Sequence, residues 1–127
     1  MEKYCVSLEI AKKLKEAGWK KETEFWWHET MKVELVDKVW YKGVKEDVGG
    51  RFFPAPITDE ILEELPYEIK IQDRFYWLCI EKEPDHYIVF YKDENKDISE
   101  FREDKSLPNA LAKMWLYLKS NNLLEGR

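Results

Sequence analysis

Cysteine and histidine are scarce in this chain of 127 residues: Cys5, Cys79, His28 and His86 are all there are. A structural zinc site takes four such ligands, and neither cysteine belongs to a CxxC pair, so no metal is expected. Thiols inside a cell stay reduced, so no disulfide is expected either, and Cys79 reads as a small buried hydrophobe within a strand. Long apolar runs are missing as well. The longest, Phe75 to Ile80, has six residues, against roughly 20 for a membrane-spanning helix. Residues 1–5 lack the basic start and apolar stretch of a secretory signal. These absences predict a soluble cytoplasmic protein with no membrane association.

An excess of positive charge is also lacking. Lys and Arg number 21 and Asp and Glu 26, for a net charge of −5. Non-specific nucleic-acid binding draws on Lys and Arg releasing counterions from phosphates, so a nucleic-acid partner is disfavoured. The densest basic cluster, Lys12, Lys13, Lys15, Lys20 and Lys21, is diluted by Glu9, Glu16, Glu22 and Glu24 and reads as a solvated helix face. The acidity is too modest and too mixed with lysine for a DNA mimic. No GxSxG, Walker loop, HExxH or EF-hand loop occurs. The chain is therefore expected to be non-enzymatic and to need no cofactor.

Apolar and aromatic residues, by contrast, are plentiful. At 44% hydrophobic and 15% aromatic, the chain can bury a real core, and its length fits one domain over residues 1–127. Ser7 caps a helix over 7–17 whose Leu8, Ala11 and Leu14 recur at helical spacing, with Gly18 as its stop. Residues 23–30 and 32–41 read as strands, and 42–57 as a long loop punctuated by Gly43, Gly49, Gly50, Pro54 and Pro56. Within it, Arg51, Phe52 and Phe53 can add a short edge segment. Thr58 caps a short helix that Pro66 ends. Tyr67, Ile69 and Ile71 alternate with polar residues as in a half-buried strand. Asp73-Arg74 reads as a turn, 75–81 and 86–92 as further strands, and 93–96 as another turn. Residues 106–120 form the clearest helix, with Leu107, Leu111, Met114, Trp115 and Leu118 in one stripe and Pro108 in the first turn. Leu123 and Leu124 are expected to fold back on the core.

The order is α-β-β-α-β-β-β-α. The expected fold class is α+β: a mainly antiparallel sheet of four to six strands packed by the N-terminal and C-terminal helices. In 75–81, Phe75, Trp77 and Cys79 alternate with Tyr76, Leu78 and Ile80, so both faces of that sheet call for cover. Helices on both faces, or a helix on one and a partner on the other, would supply it.

The first half of the chain holds an aromatic surplus. On simple alternation Trp26, Trp40 and Tyr41 cannot share a face with Phe25, Trp27 and Val39. Either the sheet is covered on both sides there or an aromatic patch is exposed. Trp and Tyr beside Arg are the residues that anchor interfaces. The candidate binding residues are Trp26, His28, Trp40, Tyr41, Arg51, Phe52 and Phe53. The expected partner is another protein, a second copy of the chain included. The alternative is a small-ligand site or enzyme pocket near His28 and the 43–53 loop, with Glu29 or Glu34 as the acid-base companion of His28.

Three stretches also look familiar together: Cys5 to Gly18 (CVSLEIAKKLKEAG), Ala55 to Pro66 (APITDEILEELP) and Asn109 to Leu124 (NALAKMWLYLKSNNLL). The chain resembles a group of small uncharacterised proteins carried by bacterial phages and prophages. In that group a similar N-terminal helix precedes an aromatic strand, an Ala-Pro-Thr helix start, a Trp-bearing strand and a C-terminal Ala-Leu-Ala helix. The 31–53 region departs from it. The resemblance implies a bacterial cytoplasm and phage or mobile-element biology, and it carries over no activity and no catalytic residue.

Overall fold

The computed structural model describes residues 2–43 and 51–124. The Gly49-Gly50 turn and most of the 43–53 loop lie outside the described residues. The chain is α+β and all its strand pairing is antiparallel. The strands divide into two sheets. One contains β1 (Phe25–Glu29), β2 (Val33–Asp37) and β3 (Phe52–Pro54) in the order β2-β1-β3. The other contains β4 (Glu68–Ile71), β5 (Arg74–Lys82), β6 (Tyr87–Lys92) and β7 (Ile98–Asp104), in sequence order. The helices are α1 (Leu8–Glu16), α2 (Lys38–Gly43), α3 (Thr58–Glu64) and α4 (Leu107–Ser120).

The terminal helices form as their caps dictate. The Ser7 hydroxyl accepts the Ile10 N–H and the Ser106 hydroxyl accepts the Asn109 N–H, each supplying an acceptor to an otherwise unpaired helix donor. Gly18 takes φ +92°, a left-handed conformation that glycine adopts without strain. The chain thereby reverses after α1 and sends Trp19 into the core. Thr58 is the first residue of α3, not its cap. The residue before it, Ile57, has no side-chain acceptor, and the Glu60 carboxylate reaches back to take the Ile57 N–H at 2.9 Å. Burial pushes the Glu60 carboxyl up, against the opposing pull of the Ile57 and Glu24 N–H groups.

One core runs through both sheets. α4 is packed on β6 and β7 and also against α1 and α3, while α1 packs on β3. Leu111, Met114 and Leu118 of α4 are fully buried, as are Val89 and Tyr91 of β6. Leu124 folds back onto this core. Two polar links close the layers. The Tyr91 hydroxyl donates to the buried Pro66 carbonyl at 2.6 Å, and the Asn109 side chain accepts the Ser7 N–H at 2.9 Å, tying α1 to the start of α4.

Besides Thr58, the structure corrects the sequence reading at four further places. The strand expected over 32–41 ends at Asp37, where the side chain accepts the Trp40 N–H at 2.9 Å and starts α2. The hairpin turn after β4 is Gln72-Asp73, both at positive φ, and Arg74 already pairs with Ile71. β7 lies in a stretch left unassigned. Cys79 is half-buried on the outer face of its sheet, whereas Cys5 is fully buried. No helix among the described residues is long and apolar enough to cross a membrane.

Candidate functional site

Five of the seven candidate residues meet on the outer face of the small sheet. Strand alternation puts Trp26 and His28 on one side of β1, and the register places Val36 and Glu34 beside them on β2 and Pro54 and Phe52 on β3. α2 then folds back over this face. Tyr41 stacks on Trp26 at 4.0 Å with the rings 1° from parallel, and Trp40 lies 5.1 Å from His28. Phe52 sits 4.4 Å from His28 and meets Tyr41 edge-on. The alternation conflict in the sequence is thus resolved by Trp40 and Tyr41 leaving the strand for a helix.

The cluster is divided between burial and exposure. Trp26, Val36 and Phe52 are buried, Tyr41 is half-buried, and Trp40 is 41% exposed. Phe53 points the other way, into the main core, with the Lys15 ammonium 4.9 Å from its ring. Arg51 precedes β3, exposed, and its carbonyl accepts the Glu29 N–H at 3.0 Å.

His28 has the companion expected of it in Glu34, opposite on β2, with Nδ1 to Oε1 at 3.8 Å. That is beyond hydrogen-bond reach. Its Nδ1 has no hydrogen-bond partner, and the side chain is 15% exposed beneath Trp40. Glu29, on the opposite face of β1, pairs with Lys12 at 2.9 Å instead. A groove of about 370 Å³ runs beside the cluster, lined by Trp19, Trp26, Tyr41, Lys15 and Lys20. His28 does not line it. Its basic rim is already committed in part. Lys15 donates to the Phe52 carbonyl at 2.8 Å and Lys21 pairs with Glu63.

A second apolar surface lies on the outer face of the four-stranded sheet. α4 covers the other face, where Tyr76, Val89 and Tyr91 point. Alternation and register define the rows of the outer face. One row is Trp77, Lys92 and Ile98, with Glu68 at its β4 end. The next is Cys79, Phe90 and Phe101, and the third is Glu81, Ile88 and Glu103. Phe75 stands beside Lys70 at the near end. Phe75 is 46% exposed, Phe101 50% and Ile98 55%. Phe90, at the centre of this face, is 7% exposed, and the helix packed on β6 and β7 is α4, on the opposite face.

The sequence called for cover on both faces of β5, but it offered no site residue here and left β7 unassigned, because β7 breaks the period of two. The ladder between β6 and β7 shifts register at Tyr91/Lys92, so that Lys92 faces Ile98 while Tyr91 faces Glu100. A bulge of this kind absorbs one residue, here Ser99. It turns Ile98 and Phe101, three apart in sequence, to one face.

At the far end of the face, the β5–β6 turn carries His86. Its Nδ1 lies 2.6 Å from Asp85 and its Nε2 3.4 Å from Glu103. The Asp85 hydrogen bond raises the His86 pKa above its ordinary value near 6.5 despite some desolvation, and the same bond holds Asp85 below the usual carboxylate range. A raised histidine binds its proton more tightly in the folded state. Its contribution is complete below the unfolded pKa and lost as pH rises through the folded one. An NMR titration is expected to find His86 with the higher pKa in the wild type and returned toward 6.5 in Asp85→Asn. Equal values in the two proteins would contradict this assignment.

Searches of family models, of curated proteins and of solved structures find no match to the chain.

Proposed function

We propose that the protein is a small non-enzymatic accessory protein that acts by binding protein, and that the outer face of β4-β5-β6-β7 is its binding surface. The observation that carries this is Phe75, Ile98 and Phe101 on one sheet face, each about half exposed, joined across it by Trp77, Cys79 and Phe90. Contiguous apolar patches rimmed by charge are uncommon on monomers and mark interaction sites. The pattern of β5 calls for cover on both sides, and α4 supplies it on one. The Trp40–Tyr41 surface over the small sheet is another apolar patch, with Trp40 41% exposed. The alternative, a pocket at His28, has less support, since His28 is packed between Trp40 and Phe52 and does not line the neighbouring groove. The phage-like resemblance adds a setting, a bacterial cytoplasm.

The test is affinity capture, after nuclease treatment, from cells that make the tagged protein together with an untagged copy. A Phe75→Glu/Phe101→Lys variant leaves the net charge unchanged and touches only exposed side chains. The wild type is expected to retain protein, either the untagged copy or another chain, that the variant loses. Nothing retained by the wild type, or equal retention by the variant, overturns the proposal.

A further inference from the structure

We infer that the occupant of the open sheet face is a second copy of this chain, packed face to face about a two-fold axis lying across the strands. The inference rests on the binding function proposed above and names its partner.

The charges on the face are arranged to complement themselves. At one end stand Lys92 and Lys70, the latter near Asp73 and with Glu68 at the β4 edge, and at the other Glu81 and Glu103, the latter near His86, with the apolar row of Cys79, Phe90 and Phe101 between them. An isologous interface brings the same patch together twice, related by a half turn. If the axis runs along the Cys79–Phe90–Phe101 row, each copy's lysine end lies over the other's glutamate end. Lys92 then faces Ile88 of the other copy, between that copy's Glu81 and Glu103, because the register puts those three side by side. An axis along β6 instead sets Lys92 on Lys92 and Glu81 on Glu103, which like-charge repulsion disfavours. The charge pattern thus selects one of two symmetric packings.

The same pattern speaks against nucleic acid on this face. Aromatic side chains on an open sheet can stack bases, but such surfaces run alongside a positively charged groove. Here Lys70 and Lys92 are outweighed by Glu68, Glu81 and Glu103.

Size sets the expected strength. Strands about 4.8 Å apart and a rise of about 3.3 Å per residue give a face of roughly 15 by 20 Å. At about 300 Å² a side this falls below the standard specific interface and in the weak, transient class, so the dimer is expected to dissociate in the high micromolar range. Aligned sheets pack about 10 Å apart. On the chosen axis the two Cys79 residues then face each other across the interface. They are too distant for a disulfide, which needs Cα atoms within about 7 Å, but within reach of a short bis-maleimide.

The experiment is light scattering on the purified chain, from about 1 µM to several hundred µM, with bis-maleimide cross-linking alongside. The mass is expected to rise from monomer toward dimer over that range. Lys92→Glu, and separately Glu81→Lys/Glu103→Lys, are each expected to weaken the dimer about tenfold or more. Combining the three changes is expected to restore it. Cross-linking is expected in the wild type and absent in Cys79→Ser, since Cys5 is 1% exposed. Near-ultraviolet circular dichroism on every variant confirms that it is folded. A monomer at all concentrations overturns the dimer. So does a dimer indifferent to Lys92→Glu and to the Phe75/Phe101 variant. If the chain is monomeric yet captures a different protein through Phe75 and Phe101, the dimer falls and the binding function stands. Salt-sensitive binding of a labelled oligonucleotide, lost with Phe75 and Phe101, overturns both.

Discussion

Trp115→Ala is expected to destabilise the fold by about 3–5 kcal/mol, the range for truncating a buried large aromatic. Trp115 lies on the buried stripe of α4 at 5% exposure. Its ring meets Trp19 edge-on, with centroids 5.1 Å apart and planes at 66°, a geometry the ring quadrupoles favour. Two elements therefore lose at once. α4 keeps a cavity where the indole stood, and Trp19, delivered by the Gly18 turn, loses its partner. The surrounding residues are held by α1, α3 and the four-stranded sheet and have little room to collapse into the gap. Trp115→Phe keeps most of the volume and is expected to cost less than half as much. Urea unfolding of the three proteins measures the difference. A loss under about 1.5 kcal/mol for Trp115→Ala would show that the two sheets do not share one core through α4.

Asp93→Ala is expected to cost about 2–3 kcal/mol through a different mechanism. Asp93 begins the β6–β7 turn, and its side chain is 3% exposed. One carboxylate oxygen accepts the N–H groups of Asn95 and Asp97, both at 2.9 Å, and the other pairs with Arg74 at the start of the neighbouring strand β5. The turn carries Lys96 at φ +67°, which a residue with a side chain adopts at a cost. The carboxylate offsets that cost by gathering the donors the turn leaves pointing inward. Charge-assisted hydrogen bonds contribute about 1.5–3 kcal/mol each. Asn95 and Asp97 are exposed, so water recovers part of the loss and the sum falls short of two full bonds. Asp93→Asn keeps an acceptor and is expected to recover about half. If denaturation midpoints show Asp93→Ala within about 0.5 kcal/mol of the wild type, the turn does not depend on this side chain.

Much of the chain was legible because local rules and burial agree. The Ser7 and Ser106 caps, the apolar stripe of α4 and the alternation of Tyr67 to Ile71 each declare an element without reference to the rest. Elements were misread where a tertiary contact or a local side chain changed the period. Val39, Trp40 and Tyr41 have strand-forming side chains, but the Asp37 carboxylate and the stacking of Tyr41 on Trp26 make helix the better solution. Ile98 and Phe101 have the wrong spacing for a strand until the bulge at Ser99 rephases them. The candidate site fared similarly. Trp26, His28, Trp40, Tyr41 and Phe52 do converge, because alternation and the β1–β3 pairing carry them to one face. Phe53 falls on the opposite face for the same reason, since neighbours in a strand point apart.

What the sequence by itself determined is the composition of the layers: antiparallel strands with amphipathic helices at both ends, and more aromatic surface than one side of a sheet can hide. Those are properties of hydrophobic period and capping, which act over a few residues. Which of the aromatics would be covered was decided only by the tertiary structure. α4 packs on one face of the four-stranded sheet, and α1 on the three-stranded one. α2 is a six-residue helix, enough to shield the small sheet in part. On the outer face of the large sheet Phe75, Ile98 and Phe101 stay about half exposed. The open surface is therefore a consequence of how few helices the seven described strands have to share, and no local pattern records that.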